Sequence, residues 1–168
     1  MIQSVPKYKI LLVCTGNTCR SPMAEGILKQ MLKEKNISHI EVISAGVGAL
    51  TGAPATPFAI ETTKEFKIDV SNHRAQKVNT QMLQEADLIL VMAPDHFFYI
   101  QQLDPGLSPK IYLLKTFPSR DMNDKYSVKD PLGGDEKVYQ KCFYELEEHI
   151  RRIWPTILDW SLKKGQFK

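Results

Sequence analysis

Cys14 and Arg20 enclose a short loop in which a nucleophile and an anion-binding group lie close together. A cysteine thiolate attacks electrophilic centres readily, and an arginine guanidinium holds two oxygens of a phosphoryl group at once. The pair therefore indicates chemistry at phosphorus. A buried cysteine beside a surface arginine is the alternative reading. The segment reads Cys14-Thr15-Gly16-Asn17-Thr18-Cys19-Arg20-Ser21-Pro22.

The residues on either side of this loop decide between the two readings. The apolar run 10–13 predicts a buried strand, and Pro22 stands where a helix can begin. In a strand–loop–helix unit, the loop N–H groups and the positive end of the helix converge on an anion. The same environment lowers the pKa of a cysteine thiol. We therefore expect Cys14 to be a thiolate near neutral pH, beside a phosphate site.

Individual loop residues suit such a site. Gly16 lets the backbone approach a ligand closely, and Asn17 tolerates a left-handed conformation. The hydroxyl of Ser21 can either cap the helix or hydrogen-bond to the sulfur of Cys14. The residues expected to bind phosphate are Thr15, Gly16, Asn17, Thr18, Cys19 and Ser21.

Length and composition restrict the class of protein. A chain of 168 residues with 43% hydrophobic residues predicts one domain, 1–168, with flexible ends at 1–7 and 165–168. The net charge of +3 gives no argument for nucleic acid or a membrane as partner. Three cysteines predict no disulfide framework and favour the cytoplasm. No ligand spacing suggests a metal, so we expect no cofactor. The sequence carries no evidence on the oligomeric state, and a monomer is the expectation.

Strand and helix patterns alternate along the chain, which predicts an α/β fold. We expect a single-domain, doubly wound (flavodoxin-like) four-stranded parallel sheet with helices on both faces. Pro155 should kink or interrupt the last helix. The predicted strands are Tyr8–Val13, Ile40–Ser44, Asp87–Met92 and Lys110–Leu114. The predicted helices are Pro22–Lys35, Pro57–Phe66, Thr80–Glu85, Pro94–Leu103 and Asp135–Leu162.

The fold also selects between two candidate general acids. Ligands bind parallel sheets at the carboxyl ends of the strands. Asp104 leads into the fourth strand and so belongs to the opposite edge. Asp130 lies in the long loop after this strand, which can fold back over the loop at Cys14. We therefore expect Asp130 to be the acid, although an aspartate before Pro131 can also simply form a turn.

The loop sequence resembles the phosphate loop of the low-molecular-weight protein tyrosine phosphatase family. Two later landmarks occur in the matching order, Ser44-Ala45-Gly46 and Asp130-Pro131. The resemblance implies a phosphatase that acts on phosphorylated proteins and releases inorganic phosphate without a metal. It implies Cys14 as the nucleophile, Arg20 as the phosphate ligand and Asp130 as the acid and then the base. A phosphocysteine is the implied intermediate.

The resemblance also implies supporting roles. Ser44 and His73 would prop the loop together with Asn17, although His73 could equally be an exposed loop histidine. Cys14 and Cys19 would form a reversible disulfide that protects against oxidant, although Cys19 could simply pack beneath the loop.

Substrate preference depends on few positions. A threonine at position 18 resembles the bacterial protein arginine phosphatase branch, whereas the tyrosine-specific branch usually has an aliphatic residue at this position. Leu132 stands where both branches tend to have an aromatic pocket wall. We expect phosphoarginine, with phosphotyrosine as the alternative. Arsenate reduction is a more distant alternative, since the only further cysteine, Cys142, is expected in the core. Candidates for a substitute wall are Phe97, Phe98 and Tyr99, although these could equally be core or surface residues.

Overall fold

Four parallel strands form the central sheet in a computed structural model that describes residues 6–164. Their order across the sheet is β2-β1-β3-β4. The predicted flexible ends lie outside the described residues, apart from residues 6 and 7. The strands are β1 (Tyr8–Cys14), β2 (Ile40–Gly46), β3 (Leu88–Val91) and β4 (Ile111–Leu113).

Five α-helices cover the two faces of this sheet. One face is covered by α1, α2 and α5, and the other by α3 and α4. Two short 3-10 helices, at Pro105–Lys110 and Asp124–Tyr126, were not predicted from the sequence. The helices are α1 (Arg20–Glu34), α2 (Pro57–Glu65), α3 (Thr80–Glu85), α4 (Pro94–Leu103) and α5 (Glu136–Lys163).

The central strand β1 explains why the strand sequences are almost continuously apolar. Ile10 and Leu12 point into the core beneath α1 and α5, whereas Leu11 and Val13 belong to the core on the α3 and α4 side. Successive side chains of a strand face opposite ways, so a strand covered on both faces needs apolar residues at every position. The predicted doubly wound α/β fold is confirmed.

Two prolines lie inside helices, where the sequence predicted a kink or interruption in one case and a helix start in the other. Helix α5 continues through Pro155, so the prediction of an interruption there is wrong. Pro155 is exposed, and the neighbouring Trp154 and Ile157 are buried and hold the helix against the core. Helix α1 begins at Arg20, two residues before Pro22. At this position a proline removes only an N–H that has no partner within the helix.

Within residues 6–164, no helix is both long enough and apolar enough to cross a membrane.

Candidate active site

The loop that follows β1 forms the wall of a small cavity at the carboxyl end of the sheet. All seven residues from Cys14 to Arg20 line it, together with Asp130 and Leu132 from the loop before α5. The cavity holds about 100 Å³. Three of the residues expected to carry the chemistry, Cys14, Arg20 and Asp130, thus meet in one place.

The Cys14 thiol is almost completely buried and has two polar contacts. Its Sγ lies 2.8 Å from the hydroxyl of Ser21 and accepts the backbone N–H of Asn17 at 3.2 Å. Ser21 therefore contacts the sulfur, and no side chain caps α1. Burial raises the pKa of Cys14, whereas Ser21, Arg20 and the Asn17 N–H lower it. The lowered pKa expected from the sequence is wrong, because withdrawal of the sulfur from water outweighs these contacts.

Arg20 is buried and held by three acceptors. Its Nη1 donates to the carbonyl of Val128 at 3.0 Å, and its Nη2 donates to Thr15 Oγ1 at 3.3 Å. Nη2 also lies 3.5 Å from Oδ2 of Asp130. These contacts fix the plane of the guanidinium, so it enters the cavity preorganised to bind phosphoryl oxygens.

Asp130 lies at the mouth of the cavity with 42% of its side chain exposed. Its Oδ1 accepts the backbone N–H of Leu132 at 3.1 Å, so it forms a turn as well as facing Arg20. Asp104, in contrast, accepts the N–H of Gly106 in the turn before β4. The structure therefore brings Asp130, and not Asp104, to Arg20.

Asn17 connects the loop to the rest of the protein. It has a left-handed backbone with φ of 56°, as its residue type suggests. Its side-chain N–H groups donate to Ser21 Oγ at 2.8 Å and to Ser44 Oγ at 2.9 Å. Its Oδ1 accepts the N–H of Gln76, and its carbonyl lies 2.6 Å from Nε2 of His73. The structure thus brings Asn17, Ser44 and His73 together, as the expected loop support requires.

Two residues of the site were missed in the sequence analysis, and the first is His96. Its Nδ1 accepts the N–H of Ala93 at 3.1 Å, so Nε2 carries the hydrogen and donates to Thr15 Oγ1 at 2.9 Å. Burial lowers the pKa of His96 to about 4, Arg20 adds to this effect, and Asp95 and Asp130 oppose it. The available signal was its position after β3, at the same edge of the sheet as Cys14.

The second missed residue is Tyr139, which lies under the loop. Its hydroxyl is 3.3 Å from Sγ of Cys19 and accepts the hydroxyl of Thr56 at 3.0 Å. Burial is the main reason that the pKa of Tyr139 rises to about 12. Cys14 and Cys19 are both free thiols, so the disulfide between them stays a prediction.

The three aromatic residues considered as a substitute pocket wall lie outside the cavity lining. Phe97 and Tyr99 pack against the core on the α3 and α4 side, and Phe98 is half exposed. The cavity lining includes none of the three among the residues described. Leu132, 63% exposed, lines the mouth of the cavity together with Asp130. Cys142 is buried in α5, in line with its expected core position.

The described residues contain no cluster of side chains that suits a metal ion. No group of three or more histidine, cysteine or carboxylate side chains within residues 6–164 could hold a metal ion.

Comparison with known proteins agrees with this geometry. A sequence model described as Low molecular weight phosphotyrosine protein phosphatase matches residues 9–164. The chain is 43% identical over 117 residues to the probable low molecular weight protein-tyrosine-phosphatase EpsP of Ralstonia solanacearum, covering 70% of this chain and 77% of that protein. It is 36% identical over 144 residues to a protein-arginine-phosphatase of Bacillus subtilis, covering 86% and 93%.

A solved structure gives the same relationship in three dimensions. It is a Cys-to-Ser mutant of the YwlE arginine phosphatase that has a phosphorylated active site serine. The two chains are 34% identical and superpose with a TM-score of 0.79, over 94% of this chain and 97% of that one. The fold, the cavity and these similarities together lead to one assignment: this chain is a phosphatase and belongs to the low-molecular-weight phosphotyrosine protein phosphatase family.

Proposed function

We propose that the chain hydrolyses phosphoarginine in proteins through a phosphocysteine on Cys14, without a metal or other cofactor and as a monomer. The observation that carries the proposal is the meeting of Cys14, Arg20 and Asp130 in one cavity. A nucleophile, a fixed guanidinium and a carboxyl group are the three groups that transfer of a phosphoryl group through an enzyme thiol requires.

The first step forms the intermediate. Arg20 and the loop N–H groups hold the phosphoryl oxygens, Cys14 passes its thiol proton to one of these oxygens, and the resulting thiolate attacks phosphorus in line. The S–P bond forms while the bond from phosphorus to the guanidino nitrogen of the substrate breaks. That nitrogen takes a proton from the carboxyl group of Asp130, so the arginine leaves in its ordinary protonated form.

The second step releases phosphate. Asp130, now a carboxylate, takes a proton from a water molecule that attacks the phosphorus of the phosphocysteine. The S–P bond breaks, Cys14 leaves as a thiolate, and inorganic phosphate is the product. The positive charge of Arg20 attracts the negative phosphoryl group of the substrate. The same charge lowers the pKa of Cys14 and so stabilises the thiolate that leaves.

Two acceptors favour phosphoarginine as the substrate. The guanidino group adjacent to the phosphoryl group presents N–H donors and positive charge, whereas a phenyl ring presents neither. Thr18 and Asp130 both line the cavity, and the hydroxyl of Thr18 and the carbonyl oxygen of the protonated Asp130 can accept such donors. The Bacillus subtilis relative named as a protein-arginine-phosphatase adds support.

Phosphotyrosine is the second candidate substrate, and Leu132 is the observation that favours it. This exposed aliphatic side chain lies at the mouth of the cavity, where it could pack against the edge of a phenol ring. Arsenate reduction has less support, because that reaction needs a third cysteine that can exchange disulfides. Cys142 is buried, and burial raises the pKa of its thiol to about 12, which makes it a poor nucleophile.

We propose supporting roles for the residues beneath the loop. Asn17, Ser44 and His73 hold the loop in its phosphate-binding shape through the hydrogen bonds described above. Cys19 forms the reversible disulfide with Cys14 under oxidant, after leaving its contact with Tyr139. Peroxide treatment followed by peptide mapping should detect this disulfide in the wild type, and recovery of activity with a dithiol should accompany its loss.

Trapping of the intermediate tests the mechanism. Rapid acid quenching during turnover should leave a phosphoryl group on Cys14, detected by mass spectrometry of the peptide that contains it. Asp130→Asn should slow both the formation and the hydrolysis of this species, whereas Asp104→Asn should resemble the wild type. Unchanged turnover in Cys14→Ser, or a phosphoryl group on another residue, would contradict the mechanism.

A further inference from the structure

We propose that a basic groove beside the catalytic cavity selects substrates in which acidic side chains flank the phosphorylated residue. The groove holds about 280 Å³. Asp130 lines both the groove and the cavity, so a chain segment that leaves the cavity on this side enters the groove. This inference deepens the proposed function and rests on it. The charged residues that define the basic groove are Lys115, Lys125, Lys129, Asp130, Lys141 and Glu145.

Both carboxylates of the basic groove already have cationic partners. Glu145 forms an ion pair with Lys115, and both side chains are at most one-quarter exposed. Lys115 also donates to the carbonyl of Ser127 at 3.3 Å. Asp130 faces Arg20 across 3.5 Å. The acidic residues therefore leave the other three lysines without compensation.

These three lysines, Lys125, Lys129 and Lys141, are exposed and come from separate segments. Lys125 lies in the second 3-10 helix, Lys129 directly precedes Asp130, and Lys141 lies near the start of α5. Within residues 6–164 none of them forms an ion pair. Converging like charges create a local positive potential that attracts an anionic partner.

The chemistry of the groove favours carboxylate side chains of a protein substrate. The net charge of the whole chain is only +3, so attraction of an acidic segment depends on where lysines come together, and three exposed lysines line this groove. Val138 also lines the groove and is 44% exposed. It offers an apolar contact for the methylene groups of a glutamate, whose carboxylate then reaches the lysines.

The test compares two phosphopeptides that carry the same phosphorylated residue, one flanked by glutamates and the other by glutamines. For the wild type we expect kcat/KM to favour the glutamate peptide about tenfold at low ionic strength, the effect of a few exposed ion pairs. The preference should shrink towards one in about 1 M salt. In the triple variant Lys125→Gln, Lys129→Gln, Lys141→Gln it should be close to one at any salt concentration.

A charge-matched variant serves as the control. Lys29→Gln, Lys33→Gln, Lys35→Gln removes three charges from the C-terminal half of α1 and the residue that follows it, and Lys33 is about 20 Å along the helix from Arg20. This variant should keep the preference for glutamate. Because each preference is a ratio within one protein preparation, partial misfolding of a variant does not alter it.

The outcomes separate the groove from the proposed function. Equal rates on the two peptides in the wild type, or a preference that the groove variant retains, would overturn the proposal while the phosphatase activity stood. Failure of the wild type on both peptides and on p-nitrophenyl phosphate would instead count against the proposed function itself.

Discussion

At the scale of single residues, Cys14 shows two opposing effects on one thiol. Burial disfavours the thiolate, and the contacts from Ser21, Arg20 and the Asn17 N–H favour it. The sequence predicts the second effect, because residue types and spacing reveal the donors. It does not predict the first, because the degree of burial depends on how the loop packs against distant residues.

Replacement of Ser21 by alanine tests the contribution of the hydroxyl. Without it, burial is less well opposed, so the pKa of Cys14 should rise further. Alkylation of Cys14 by iodoacetamide should therefore reach the same rate only at a higher pH in Ser21→Ala than in the wild type. A shift of this profile to lower pH, or none, would show that Ser21 does not stabilise the thiolate. Thr116→Ala, which removes an exposed hydroxyl contact remote in sequence from the loop, is the control.

At the scale of elements, the close approach of β2 to the phosphate loop positions the nucleophile. Gly46 ends β2 beside Cys14, its register partner in β1. A Cβ at Gly46 would lie 2.4 Å from the carbonyl oxygen of Thr15 and 2.9 Å from the backbone nitrogen of Asn17. Both are backbone atoms of the loop, so a side chain here must displace the loop itself.

Gly46→Ala should therefore lower kcat/KM about a hundredfold on any phosphorylated substrate, the effect of a misplacement near 1 Å. Steady-state kinetics on p-nitrophenyl phosphate measures this. Gly48→Ala is the matched control, because a Cβ there would meet only atoms 3.8 Å away. Activity of Gly46→Ala equal to that of Gly48→Ala would mean that the loop tolerates displacement.

The helices and strands can be predicted from the sequence, whereas the contacts between residues of distant elements cannot. Alternating apolar strands and helices determine the sheet, and the strand–loop–helix order places Cys14 at its carboxyl edge. The contacts of Arg20 with Val128 and of His96 with Thr15 join residues more than 80 positions apart. No local pattern reveals such pairs, although both residues lie near the carboxyl end of a strand: Cys14 ends β1, and His96 lies in the first turn of the helix that follows β3.

At the scale of the whole molecule, protonation of His96 makes the free energy of unfolding depend on pH. Its pKa is about 4 in the folded chain and 6.5 for an unperturbed histidine. The unfolded state therefore binds more protons between these pH values, and the free energy of unfolding falls as pH drops from about 6.5 towards 4. Over this range the loss amounts to about 3 kcal/mol.

His96→Gln should remove this part of the pH dependence. Urea unfolding, followed by tryptophan fluorescence at several pH values, measures the slope in each protein. We expect the stability of the variant to fall less steeply than that of the wild type below pH 6.5. His149, whose pKa burial also lowers, is present in both proteins and cancels in the comparison. Parallel curves would mean that His96 is protonated as readily in the folded state as in the unfolded state.

The central claim, hydrolysis of phosphoarginine by Cys14, is tested most directly by kcat/KM on matched peptides that bear phosphoarginine or phosphotyrosine. Cys14→Ser serves as the blank and Thr18→Ile as the selectivity variant. We expect a preference for phosphoarginine of about a hundredfold in the wild type, or about 2.7 kcal/mol of transition-state discrimination. Thr18→Ile should reduce that preference. Preference for phosphotyrosine in the wild type, or equal turnover in Cys14→Ser, would contradict the claim.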